Sequence, residues 1–170
     1  MTMTNDARPL RPSEVWKRLP RERRTDAAAA FWSDGDSREQ HVEAVDSIAR
    51  FLKFRPKSVR ALTLDRKSRY LAALPAVPET VAARALVAYH LASQRPMLAA
   101  FLEPLGIAHD DGLITEEDVQ RPDQAKLEAA ATDLAGRFPP EDVRLYFATL
   151  LSQDPETWGG LAEIPGWQEA

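Results

Sequence analysis

The chain has 170 residues, 44% of them hydrophobic, which suits one domain of ordinary size with a real core and excludes a disordered chain. It contains no cysteine, so disulfides, thiolate zinc sites and cysteine nucleophiles are excluded. The net charge is −4, no window approaches the roughly 18 apolar residues of a membrane span, and the opening MTMTNDARPLRPSEVW lacks the apolar run of a signal peptide; the expectation is a soluble, cytoplasmic protein with no membrane partner.

Helix signals dominate along the chain, with abundant alanine and no alternating β-branched runs. Pro12, Ser13 and Glu14 open a short first helix carrying Val15 and Trp16. Pro20 precedes an alanine-rich helix, RERRTDAAAAFW, which ends near the turn Asp34-Gly35-Asp36. Ser37 and Gln40 have the spacing of a capping box. The helix behind them sets Val42, Val45, Ile48, Ala49 and Leu52 on one stripe, and Pro56 stops it. Lys57 to Leu62 and Asp65 to Leu74 read as two shorter helices. Pro78 suits a first helical position, where its missing N–H costs nothing. The segment after it, ETVAARALVAYHLASQ, is apolar almost all round, as a central buried helix would be, so Leu86 is expected deep in the core.

Pro96 turns the chain, and MLAAFLEPLG then carries Leu98, Phe101, Leu102 and Leu105 at helical spacing up to Gly106, a good helix stop. Residues 107–124 lack helical periodicity. Asp111-Gly112 reads as a tight turn, and Thr115 with Asp118 reads as the cap of one helical turn before Pro122. Two amphipathic helices follow, DQAKLEAAATDLAGRF and EDVRLYFATLLSQ, broken apart by Pro139-Pro140. Asp154-Pro155 starts a short helix around Trp158. The predicted architecture is all-α: a single compact domain over 1–170, about nine or ten helices in an irregular array with no significant sheet. A short flexible N-terminus over about 1–11 and a docked Trp-containing C-terminal tail complete it.

The stretch GIAHDDGLITEEDVQ, residues 106–120, looks most like a site. With Gly112 in the sixth position of a calcium-binding EF-hand loop, Asp111, Ile114 and Asp118 fall where that loop needs them. Ile107 and His109 then occupy two anchoring positions that require oxygen ligands, and Pro122 cuts the exit helix, which argues against calcium. The doublet His109-Asp110, with His41 and His90 upstream, resembles the His…His-Asp…Asp metal site of the HD-type phosphohydrolases. In that family the doublet usually sits on a helix and often precedes an apolar residue, glycine and lysine; here Leu113 stands in place of the lysine. The resemblance implies a metal-dependent hydrolase, with His90, His109, Asp110 and Asp111 as candidate ligands for iron, manganese or zinc.

His90 has a second reading as a hydrogen-bonded core histidine. Its functional counterpart is a ligand pocket lined by Tyr89, His90, Gln94 and Arg95 and closed by the 107–114 loop. No Gly-x-Ser-x-Gly elbow, G-x-G-x-x-G or Walker pattern occurs. Residues 1–85 carry 17 Lys and Arg against 11 Asp and Glu, and residues 86–170 carry 5 against 15. Opposite charges attracting across one domain account for this imbalance. The other account is an anion or nucleic-acid face built from RLPRERR, KFRPKSVR and DRKSR, for which Phe54 is the one interleaved aromatic. Trp16, Trp32, Trp158 and Trp167 lie near the two ends, and the expectation is that both ends pack on the body of the fold. By elimination, the sequence points to a non-enzymatic soluble helical protein without a cofactor that binds a protein partner or a small ligand. The His/Asp hydrolase is the alternative, and nucleic acid is the least favoured partner.

Overall fold

A computed structural model describes residues 8–165. Among them are ten α-helices. The first six are α1 (Pro12–Arg18), α2 (Arg21–Ser33), α3 (Arg38–Leu52), α4 (Pro56–Arg60), α5 (Leu64–Ala73) and α6 (Glu79–Ser93). The rest are α7 (Arg95–Leu102), α8 (Gln124–Arg137), α9 (Pro140–Gln153) and α10 (Pro155–Trp158). Short 3-10 turns occupy Gly35–Ser37 and Gly159–Glu163. The chain is an all-α domain, and no helix among the described residues is long and apolar enough to cross a membrane.

Prolines punctuate the fold as openers. Five helices, α1, α4, α7, α9 and α10, carry proline in their first turn, where the N–H it lacks would have had no partner. Side-chain caps begin two others, Thr63 for α5 and Asp123 for α8, and Asp154 caps the proline-opened α10 as well; each accepts a backbone N–H. Pro56 therefore opens α4; α3 has already ended at Lys53, which is left-handed at φ 57°. The expected Ser37–Gln40 capping box does not form. Ser37 is instead drawn into the preceding turn, its hydroxyl donating to Asp34 at 2.6 Å, while Asp34 also accepts from the Asp36 N–H. The α3 stripe differs by one residue as well. Val42 is 53% exposed, and Ala44 takes its place beside Val45, Ile48 and Ala49.

Two apolar clusters fill the interior. The first is built from α1 to α6, around Trp16, Phe31, Ile48, Leu71 and Leu86. The second is built from α7 to α10 and the turn after them, around Phe101, Leu127, Leu134, Phe147 and Trp158. Leu86 is fully buried, as its helix pattern required. Helix α6 packs against α1, α2, α3, α7 and α9, and α9 closes the seam: Leu145 belongs to the first cluster, Tyr146 and Phe147 to the second. Charge follows the same seam. Arg23 of the basic half bonds Asp142 of the acidic half at 3.1 Å, with Glu141 at 3.5 Å, so at this contact the uneven charge draws the halves together. At the termini, Arg8 and Arg11 bond Glu14 and Trp158 is buried. Residues 1–7 of the expected flexible segment, and Trp167, lie outside the described residues.

Candidate functional site

The segment after α7 is where the sequence pattern breaks and where the fold departs most from expectation. His109–Asp110 and Leu113–Ile114 form a small antiparallel ribbon, β1 and β2, pairing His109 with Ile114 and Asp110 with Leu113. The two turn residues are Asp111 at φ 46° and Gly112 at φ 92°. Positive φ at both central positions is the backbone that a two-residue hairpin needs to match strand twist, and Asp-Gly is a preferred pair for it. The helical turn expected at Thr115 is absent, because the Thr115 N–H extends the ribbon by bonding the Ala108 carbonyl at 3.0 Å.

Arg95 and the close approach of Gly112 hold the hairpin against α7, and one bond braces it internally. The Arg95 guanidinium donates to the Asp111 carbonyl at 3.0 Å and to the Asp110 carbonyl at 3.4 Å. The Gly112 N–H donates to His109 Nδ1 at 3.0 Å, which leaves the ring proton on Nε2, 3.7 Å from Glu103. Gly112 itself lies on α7 so closely that a Cβ there would sit 2.7 Å from Leu98 Cβ and 3.1 Å from the Arg95 carbonyl. Gly112→Ala is therefore expected to cost about 1–3 kcal/mol, from the left-handed backbone and the forced displacement of Leu98. Urea denaturation would measure it; a loss under about 0.5 kcal/mol would mean that the hairpin does not rest on α7.

Beneath the hairpin lies a cleft of about 220 Å³ between α6 and α9. Val87, Leu91, Leu98 and Leu150 form its walls; Leu113 and Ile114 reach it from β2. His90 and Tyr146 also line it, and their rings meet edge to face at 5.3 Å. No Lys, Arg, Asp or Glu lines it.

His90 is buried, and both of its ring nitrogens are engaged. Nδ1 donates to Gln94 Oε1 at 2.7 Å, and Nε2 lies 3.0 Å from the Thr149 hydroxyl. That hydroxyl is also 2.8 Å from the Leu145 carbonyl. With Nδ1 carrying the imidazole proton, Nε2 accepts, and the single Thr149 proton serves either Nε2 or the Leu145 carbonyl. Burial pulls His90 down to about 4; the bond to Gln94 and the charge of Asp142 pull the other way. The neutral ring is thus the form this interior holds. Burial also pushes the Tyr146 phenol above its usual range, and no hydrogen bond to its hydroxyl is found among the described residues.

The residues singled out in the sequence thus take different places. His90 lines the cleft together with Gly112, Leu113 and Ile114 of the loop. Gln94 stands behind His90, Arg95 ties down the hairpin, and Tyr89 touches the His90 ring edge to face from outside the cleft lining. His90, His109, Asp110 and Asp111 are not brought together: among the described residues no three His, Asp or Glu side chains converge on a point that could hold an ion. The His90 ring is committed to Gln94 and Thr149, and His109 Nδ1 to Gly112. The sequence reading missed Tyr146 and Thr149, which stand on one face of α9 at i, i+3 spacing. It also missed a second, larger cleft of about 280 Å³ between α1 and α9, where Leu10, Val15 and Leu145 are framed by Arg18, Arg23 and Arg144. That cleft is the more open of the two, and Arg23 on its rim is already bonded to Asp142. No family model matches this chain, and neither the search of curated proteins nor that of solved structures finds a significant match.

Proposed function

We propose that the chain is a soluble, cytoplasmic, non-enzymatic binding protein whose cleft under the 109–114 hairpin takes a small, uncharged, mainly apolar ligand. The observation that carries this reading is the lining: aliphatic walls, no charged side chain, a Gln153 amide whose Nε2 is bonded to the Ala83 carbonyl, and a Tyr146 phenol with no hydrogen-bond partner among the described residues. A pocket of that kind favours an apolar body with a single hydrogen-bonding group, because a charged group entering it would lose water without finding a partner. Binding rather than catalysis is favoured because the His90 nitrogens and the Thr149 hydroxyl are spent on one another and on Gln94 and Leu145.

A titration followed by NMR tests this, with p-cresol as the neutral probe and benzoate as its charged counterpart. Shifts at Leu91, Leu98, Ile114 and Leu150 are expected with p-cresol, weaker ones with benzoate, and none once Leu150→Trp fills the cleft. Equal response to benzoate, or shifts confined to the cleft between α1 and α9, would defeat the reading.

A further inference from the structure

At the end of α3 the surface changes character. Phe51 is 53% and Phe54 is 45% exposed, two of the five large hydrophobic side chains that stand in solvent among the described residues. The left-handed turn at Lys53 folds the chain back, so that the Phe54 N–H bonds the Ala49 carbonyl at 2.9 Å. Two shallow depressions result. One is bounded by Asp46, Ala49, Phe54 and Pro56, and no ion pair joins Asp46 to Arg50 among the described residues. The other lies between Phe51 and the proline-bracketed segment Leu74–Pro78. Arg50 lines both. Its Nε is turned back to the Asp46 carbonyl at 3.4 Å, and no bond to its two terminal nitrogens is found among the described residues. Around this pair the chain reads RFLKFRPKSVR, residues 50–60, with no acidic residue; Lys53, Arg55, Lys57 and Arg60 are all exposed.

We infer that this Phe51–Phe54 surface, with Arg50 between its two depressions, docks a peptide segment of a partner protein that carries an acidic residue flanked by two apolar side chains. The apolar side chains would seat against Phe51 and Phe54, and the carboxylate would meet the Arg50 guanidinium in its bidentate geometry. Exposed aromatics beside an arginine have the composition of an interface centre, and the exposed cations at Lys53, Arg55, Lys57 and Arg60 outnumber the one acid at its edge, Asp46, which favours an acidic partner. Single-stranded nucleic acid fits less well. Base stacking needs open ring faces along a continuous basic groove, whereas here the rings wall two depressions divided by Arg50. The surface lies on α3 and α4, apart from the cleft under the hairpin, so it stands or falls independently of the ligand proposed there.

Selection of a random dodecapeptide phage library on the full chain tests the inference. Enriched sequences are expected to place Asp or Glu between two apolar residues. A synthetic copy of the best should bind at least about tenfold more weakly to Arg50→Ala and to Phe51→Ser/Phe54→Ser. All three side chains are exposed, and unchanged circular-dichroism melts would show that the variants fold. Shifts in the wild-type NMR spectrum on adding the peptide should centre on Arg50, Phe51 and Phe54, a readout independent of any variant. No enrichment, enrichment without an acid, or equal retention on the double variant overturns the proposal. So does oligo(dT) binding at the same residues more tightly than the peptide.

Discussion

Leu86→Ala is expected to destabilise the fold by about 2–5 kcal/mol, the usual range for emptying a leucine site in a core that cannot fully collapse. Leu86 is fully buried on α6, the helix that packs against α1, α2, α3, α7 and α9. Helices held from several sides cannot all close on the vacancy, so both transfer energy and dispersion contacts are lost. Urea unfolding of the variant, beside Val42→Ala as an exposed control, measures the effect. The control should change stability by no more than about 0.5 kcal/mol, since Val42 is 53% exposed. A Leu86 loss below about 1 kcal/mol would mean that α6 is not the centre of the first cluster.

That centre was legible in the sequence because its signal is local and periodic. Helix α6 is apolar almost all round, and proline and glycine mark most of the helix ends. Where local chemistry competes, periodicity misleads. Val42 falls on the α3 stripe, yet the tight Asp34–Ser37 turn sets the helix entry and leaves it in solvent. The ribbon was legible in principle, since Asp111-Gly112 is a hairpin signal in its own right. Its strands are two residues each, too short to show alternation, so the pattern signals only the turn. The cleft was only half legible. His90 and Gln94 stand on one helical turn and could be paired from spacing, whereas Thr149 is 59 residues away and reaches His90 only when α9 closes the seam. No single-chain pattern announces a contact of that kind.

His90 gives the second large effect, read as a slope in pH. Burial holds the folded imidazole at about 4 against an ordinary 6.5. Between those values the unfolded chain binds a proton that the folded chain refuses. The contribution is therefore fully present above pH 6.5 and is lost progressively as pH falls toward 4, amounting to roughly 3 kcal/mol across the whole window. Most of it should appear above pH 4.5, and a carboxylate whose pKa is the same folded and unfolded adds nothing to the slope. Glu14 does not confuse the reading: its bonds to Arg8 and Arg11 hold it at about 2, so its own loss of stability lies below pH 4.5. Urea unfolding at pH 7.0, 5.5 and 4.5 gives the slope, and His90→Asn removes the titrating ring while keeping a donor and an acceptor beside Gln94 and Thr149. The variant should be less stable at pH 7.0 and should show a much shallower fall by pH 4.5. An unchanged slope in His90→Asn would mean that His90 is not the group that charges. An isolated charged ring would be costly at this seam between the two clusters. Protonated, however, His90 could donate to Gln94 and to Thr149 while Thr149 donates to Leu145, which satisfies every bond in the chain. What opposes protonation is the loss of water around the charge and not a lack of partners, so in acid the α6–α9 seam should give way before the helices themselves do.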